Sequence, residues 1–353
     1  MTGITIVGSG HFAPGKPVSN QALARVMDTN DDWIYQRTGI RQRHFAEHGQ
    51  GASDLAVEAA RLAIADAKIE ATDIDYIVFA TMTPDYLFPG SGGLLGAKLD
   101  IPGVPALDIR QQCAAVPFAL QVANGLVRSG AAKTLLLVGA EAHAGFMPWS
   151  HWDTLRELPN AASPDEDAWE RATRHRGMAI LFGDGAGAWV MQAASAPSAG
   201  LIDVCVQSDG RHFDQIYIEE GGFRQLPYLS ETILNQDGHI PKMQGRDLFK
   251  LAVTKLPEAI RSLCARHNLD LDNIDWFIGH QANDRINQAV RNALGVPTEK
   301  VPSNIERFGN TSGATIPILT DELRRSGTLK EGQLVCFFAL GAGLHWGAAL
   351  MRM

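Results

Sequence analysis

The chain repeats itself. Ile74-Asp75-Tyr76 returns as Ile274-Asp275-Trp276, 200 positions on. Upstream of these triplets stand "SDLAVEAARLAIADAKI" and "LFKLAVTKLPEAIRSLCARHNL", both with apolar residues at helical spacing. Downstream, "DIDYIVFAT" and "NIDWFIGHQ" read as buried strands. A duplication on this scale sets the fold before any single residue does, because each copy must bury the same faces in the same order. Alternating strands and helices make the shared plan α/β. The expected division is 1–195 and 196–353, and with 353 residues each half has a normal domain size.

The repeat extends into chemistry. "DIRQQCAAVPFALQVANGLVRSG" matches "NIERFGNTSGATIPILTDELRRSG". Aligning Ser129-Gly130 with Ser326-Gly327 gives an offset of 197, which lays Cys113 on Asn310. In both copies a strand-like run stops at a polar residue, small residues follow, and a helix carries proline in its early turns. Proline is tolerated there because the first helical amides have no intrahelical partner. His280 ends its strand where the first copy has Ala80. Parallel α/β sheets gather their sites at the carboxyl ends of strands, so the duplication brings Cys113, His280 and Asn310 together. Singly, each has an ordinary reading: a core thiol, a structural histidine, a turn asparagine. Their shared placement favours catalysis.

A thiol attacks as thiolate, which a helix N-terminus and a nearby imidazole promote. A neutral histidine and an asparagine amide can both donate to a carbonyl oxygen that is becoming negative. That set suits acyl transfer onto sulfur followed by carbon–carbon bond formation. Hydrolysis would need a base aimed at water. The net charge of −8 argues against a general nucleic-acid footprint, and no apolar run reaches the length of a membrane span. Four cysteines (Cys113, Cys205, Cys264 and Cys336) lie far apart with no CxxC spacing, so no metal site is expected. The opening "MTGITIVGSGHF" reads as a strand and not as a signal peptide, and a reducing, cytoplasmic setting is expected.

"DTNDDWIYQRTGIRQRH", the Cys113 setting, "FGDGAGAWV", "HQANDRI", "FGNTSGATIP" and "GAGLHWGAAL" together resemble the beta-ketoacyl-acyl-carrier-protein synthase III family of thiolase-like condensing enzymes. The resemblance spans nearly the whole chain. It implies a five-layered αβαβα fold of two similar halves, assembled as a homodimer. Cys113 would be the acylated nucleophile, with His280 and Asn310 completing a triad, and the backbone amides of Cys113 and Ala342 would form the oxyanion hole. Acyl-CoA would be a substrate and no cofactor would be permanently bound. Trp33, Arg37 and Arg176 would hold the CoA base, and Phe249 and Asn283 would line the pantetheine tunnel. Phe88 would close the acyl pocket of the partner subunit. Arg285, Lys250 and Lys255, with Lys242 and Arg246 nearby, would meet an acidic acyl carrier protein. The implied reaction is acylation by acyl-CoA and then decarboxylative condensation with malonyl-carrier. Alternatives are a non-decarboxylating acyl-CoA condensation or acyl transfer on the same fold, or a partner subunit of a heteromeric complex.

Three features depart from the family pattern. Residues 144–174 exceed the usual loop and hold three tryptophans, too many for a linker that stays disordered. This extra material is expected to reshape the acyl pocket, cover the CoA entrance or enlarge the dimer contact. "QQC" replaces the usual small residues before the nucleophile, and Arg246 replaces an asparagine. "FGDGAGA" lacks the GxGxxG spacing of a dinucleotide loop and is read as close backbone packing.

Overall fold

The computed structural model describes residues 3–196 and 198–353. Its first sheet is built from Ile4–Phe12 (β1), Tyr76–Ala80 (β2), Ala106–Ile109 (β3), Thr134–Glu141 (β4) and Gly185–Ala193 (β5), ordered β1-β5-β4-β2-β3. Its second sheet is built from Gly200–Ser208 (β6), Trp276–Gly279 (β7), Leu334–Gly341 (β8) and His345–Arg352 (β9), ordered β6-β9-β8-β7. The four strands of the second sheet match β1, β5, β4 and β2 of the first in order, and β3 is an extra edge strand without a counterpart. In both, the first and last strands of the unit pair antiparallel, while the two inner strands run parallel.

The helices that matter for the site are Asp31–Thr38 (α1), Ala52–Ala67 (α2), Ala115–Arg128 (α3), Glu166–Arg174 (α4), Gly245–Arg266 (α5), Asp284–Leu294 (α6) and Thr315–Arg325 (α7). α2 covers the outer face of the first sheet and α5 that of the second. α3 and α7 lie between the sheets, where α3 touches strands of both. The result is five layers, with the apolar α3 in the middle as its lack of a polar face requires. Even small polar details recur. Asp75 accepts a hydrogen bond from the Thr134 amide at 3.3 Å, and Asp275 from the Leu334 amide at 2.7 Å.

The register of the duplication needs correction at the chemically important point. α3 and α7 begin 200 residues apart, at Ala115 and Thr315, but end 197 apart because α7 is 11 residues long and α3 is 14. β4 and β8 again begin 200 apart, so the loop after α7 restores the lost residues. The structural counterpart of Cys113 is therefore Gly313, not Asn310, and that of Asn310 is Arg110. Pro117 and Pro317 keep the true spacing, whereas the Ser-Gly pairs mark helix ends that a shorter helix has shifted.

The extra material at 144–174 folds into a turn at His143–Phe146, a short helix at Trp152–Leu155, and α4. Met147, Trp149, Leu155 and Ala172 are buried against Leu23, Phe45, Phe182 and Ile240. Trp149 and Trp152 meet Phe45 edge-on at ring distances of 5.9 and 5.3 Å. Arg171 and His175 then bind the buried Asp237 carboxylate at 2.6 and 3.0 Å. The glycines of "FGDGAGA" do serve close packing: a Cβ on Gly187 would fall 2.5 Å from Pro317 Cβ, and one on Gly183 would fall 2.4 Å from the Phe308 carbonyl oxygen.

Asp321 on α7 locks the middle layer to β1. Its fully buried carboxylate accepts from Ser9 Oγ at 2.7 Å and Arg325 Nε at 2.8 Å, and meets His11 Nδ1 at 2.6 Å. Burial acts to raise its pKa, but the hydrogen bonds from His11, Arg325 and Ser9 hold it below the usual carboxylate range. A depressed folded-state value means that this stabilisation is complete above the unfolded carboxylate value, about 3.9, and fades as pH falls through the folded one. Asp321→Ala is expected to cost about 3–5 kcal/mol of stability by leaving its partners without their charge. Chemical denaturation at pH 7 measures this; a loss below about 1 kcal/mol contradicts the lock.

Candidate active site

The two junctions predicted from the repeat face each other between the sheets. Each opens with a non-glycine residue in the left-handed region, Gln112 at φ 51° and Ser312 at φ 47°. Each then makes one tight helical turn before α3 or α7 begins. Such strain at two related positions points to a functional constraint. The turns touch, and Ser312 Oγ lies 3.4 Å from Cys113 Sγ. Ser312 was not legible from the sequence, because the 197 offset paired the wrong residues. The 200 offset pairs it with Gln112, beside the thiol.

Cys113, His280, Asn310 and Ala342 all line one cavity of about 780 Å³, within the usual range for a small-molecule site. His280 follows β7 and is buried. Its Nδ1 meets Thr315 Oγ1 at 2.8 Å, and its Nε2 is buried without a hydrogen-bond partner. Asn310 Oδ1 accepts from the Ser312 amide at 2.8 Å, which leaves the Asn310 NH2 as the group available to a ligand. Gly341 stands against the nucleophile's backbone: a Cβ there would lie 2.8 Å from the Cys113 nitrogen. That contact fixes the neighbouring Ala342 relative to Cys113.

A further buried acid shapes the pair. Glu141 at the end of β4 accepts from the Met82 amide, both threonines of Thr81 and Thr83, and the Gly313 amide, at 2.8–3.2 Å. It ties the two halves together across the site. Burial pushes the Cys113 thiol up to about 12; the Ser312 contact opposes this and the Glu141 charge adds to it. Burial likewise holds the His280 imidazole down to about 3. At this site desolvation outweighs what the helix start and the imidazole do to favour a thiolate. Burial thus favours the neutral form of both the thiol and the imidazole. Alkylation of Cys113 by iodoacetamide is expected to keep rising with pH beyond 9. A plateau near the ordinary thiol value of about 8.5 contradicts this arrangement.

The outer residues fall into groups. Arg37, Phe249, Asn283, Arg246, Lys250 and Arg285 line the cavity or its mouth. Asn283 caps α6 through the Arg285 amide and donates to the Arg37 carbonyl at 2.9 Å, joining α6 to α1. Trp33 carries two guanidinium groups over its ring, with Arg37 at 4.3 Å and Arg176 at 4.8 Å. Lys242, Lys250 and Lys255 each pair with a carboxylate, of Glu219, Asp247 and Glu258. Lys255 also turns its ammonium towards Trp346, away from the cavity lining. Among the described residues, Arg37, Arg246 and Arg285 have no carboxylate within salt-bridge distance, so they carry free positive charge at the mouth. Phe88 is 77% exposed and outside the cavity of a single chain. No residue of 144–174 lines the cavity either. The insertion meets the cavity wall indirectly: Phe146 packs edge-on against Phe182 at 5.9 Å, and the cavity-lining Leu181 and Met243 share its apolar cluster. Among the described residues no cluster of metal-binding side chains occurs, and no helix is long and apolar enough to cross a membrane.

Known proteins share this architecture over the full chain. Residues 107–162 match the family described as 3-Oxoacyl-[acyl-carrier-protein (ACP)] synthase III, and 264–353 match its C-terminal counterpart. The solved 3-oxoacyl-[acyl-carrier-protein] synthase III from Aquifex aeolicus superposes with a TM-score of 0.83 at 31% identity, covering 99% of this chain and 100% of that one. The beta-ketoacyl-[acyl-carrier-protein] synthase III of Bordetella petrii is 38% identical over 100% of this chain and 99% of its own. That of Rhodospirillum rubrum is 39% identical over 99% of this chain and 98% of its own. With such identity sustained from end to end, the chain belongs to the beta-ketoacyl-[acyl-carrier-protein] synthase III family.

Proposed function

We propose that the chain transfers an acyl group from acyl-CoA to Cys113 and then condenses it with malonyl-acyl-carrier-protein. The observation that carries this reading is the meeting of Cys113, His280 and Asn310 in one cavity where, among the described residues, no carboxylate is hydrogen-bonded to the histidine. A Cys-His pair oriented by a carboxylate suits hydrolysis; a thiol facing two carbonyl-directed groups suits condensation.

In the first step the Cys113 sulfur attacks the thioester carbonyl as its proton leaves through His280 to the departing CoA sulfur. The backbone amides of Cys113 and Ala342 hold the developing oxyanion. In the second step the malonyl carboxylate departs as carbon dioxide. His280 and Asn310 hold the resulting enolate oxygen, the enolate carbon attacks the acyl-Cys113 carbonyl, and the carbon–sulfur bond breaks to release the Cys113 thiolate, which takes a proton from solvent to restore the thiol. The cavity's apolar walls, including Phe249, keep water from the thioester.

Arg176, Trp33 and Arg37 form a cationic, aromatic rim suited to a nucleotide base. A base entering there takes the place of one guanidinium on the Trp33 ring. Arg285 and Arg246 offer their charge to the carrier protein. Pairing across a second copy would bring Phe88 to the partner's acyl pocket. The halves at 1–195 and 196–353 each supply part of the site. The reading predicts that acyl-CoA and malonyl-carrier together yield free CoA, carbon dioxide and a 3-oxoacyl-carrier. Turnover of two acyl-CoA molecules without malonyl-carrier would instead mark a non-decarboxylating condensation.

A further inference from the structure

Resting on the condensing reading above, we infer that Thr315 is a positioning residue that selects which nitrogen of His280 carries the ring proton. The two half-reactions ask opposite things of the same atom. Acylation needs a lone pair on Nε2 to receive the Cys113 proton. Enolate formation needs a proton on Nε2 to donate to the malonyl carbonyl. Nε2 is the nitrogen left without a protein partner, and His280 lines the cavity, so the substrate meets the ring there.

The other nitrogen decides the tautomer. Nδ1 meets Thr315 Oγ1 at 2.8 Å, and the same hydroxyl lies 3.0 Å from the Ser312 carbonyl oxygen. A hydroxyl has one proton to give and lone pairs to receive with. When it donates to the Ser312 carbonyl, it accepts from Nδ1–H, and Nε2 keeps its lone pair. When it turns to donate to Nδ1, Nε2 carries the proton and becomes a donor. Both neutral forms are hydrogen-bonded through Thr315, so neither leaves Nδ1 unsatisfied in a buried site. Both carry a single ring proton. Exchange between them requires no net proton and proceeds through water admitted at the cavity mouth.

A carbonyl in place of the hydroxyl would permit only the first form. Thr315→Val creates this case, because the isosteric side chain leaves the Ser312 carbonyl as the acceptor nearest to Nδ1–H. Nε2 then keeps its lone pair, and the enolate loses a donor. The expected result is selective: malonyl decarboxylation and condensation fall on the order of 100-fold, the effect of removing one oxyanion donor. Acylation of Cys113 falls far less.

The experiment measures both half-reactions for the wild type, Thr315→Val and Thr315→Ser. Intact mass over time gives the rate of acyl-Cys113 formation from acyl-CoA. Carbon dioxide release from malonyl-carrier with the pre-acylated protein gives the second rate. Thr315→Ser keeps the hydroxyl and is expected to restore condensation to within a few-fold of wild type. Equal slowing of both steps, failure of serine to restore the second, or unimpaired condensation in the valine variant would each overturn the inference. A wild type that forms no acyl-enzyme or releases no carbon dioxide would instead overturn the condensing reading beneath it.

Discussion

Replacing His280 by alanine is expected to slow decarboxylative condensation by about 100- to 1000-fold, the range found when one preorganised oxyanion donor is removed. Asn310→Ala is expected to act in the same range, because both groups serve the same developing charge. The double variant should lose less than the product of the two single effects, as residues that work as a unit do. The two differ in acylation. In the proposed first step His280 also receives the thiol proton. His280→Ala should therefore slow acyl-Cys113 formation, while Asn310→Ala should leave it close to wild type. Separate rates for acyl-enzyme formation and for carbon dioxide release check both statements. Equal effects of the two variants on acylation would remove His280 from the first step.

Gly341→Ala is the second large effect, and its cause is steric. The added Cβ would lie 2.6 Å from the Ala114 nitrogen, 2.8 Å from the Cys113 nitrogen and 3.0 Å from the Gln111 carbonyl oxygen. All three are backbone atoms, so no side chain can swing aside. Either the turn carrying Cys113 moves or the end of β8 does. Both movements separate the Cys113 and Ala342 amides from the position proposed for the oxyanion. A displacement approaching 1 Å is worth about 100-fold in rate. The expected outcome is a fall of at least that size in turnover, with a folded circular dichroism spectrum and the Cys113 thiol still present. Wild-type turnover in Gly341→Ala would show that the paired amides are not held by this contact.

Much of this site can be read from the sequence, and the misreading is instructive. The Ile-Asp-aromatic triplets, the helix-then-strand order and the position of His280 at the end of β7 all follow from periodicity and repeat spacing. The register at the nucleophile does not, because α7 is one short turn smaller than α3 and the following loop is longer by the same amount. Two compensating changes are invisible to an alignment anchored at the helix ends. An anchor on Pro117 and Pro317 would have paired Cys113 with Gly313 and Gln112 with Ser312.

The contacts across the halves were hidden for a different reason. Glu141 reaches Thr81, Thr83 and Gly313 over long sequence separations, and nothing local marks it as more than a strand-end carboxylate. The burial that raises the thiol pKa is hidden as well, because sequence shows the helix start and the imidazole but not their depth. The insertion shows the same limit. Its tryptophans announce a packed segment, yet only the structure shows that Trp149 and Trp152 join a cluster beside α1 and that none of the three lines the cavity. Its influence on the cavity runs through that cluster, to which the cavity-lining Leu181, Phe182 and Met243 also belong. The paired lysines are a milder case: Lys242, Lys250 and Lys255 count as charge in the sequence but are matched by carboxylates in space.

The central claim is that Cys113 becomes an acyl-enzyme. Intact-mass measurement after exposure to a panel of acyl-CoA thioesters, with peptide mapping, tests it most directly. A single added acyl mass on the peptide containing Cys113, absent in Cys113→Ala and discharged by malonyl-carrier, is the predicted result. No adduct across the panel, or an adduct that persists in Cys113→Ala, would contradict it.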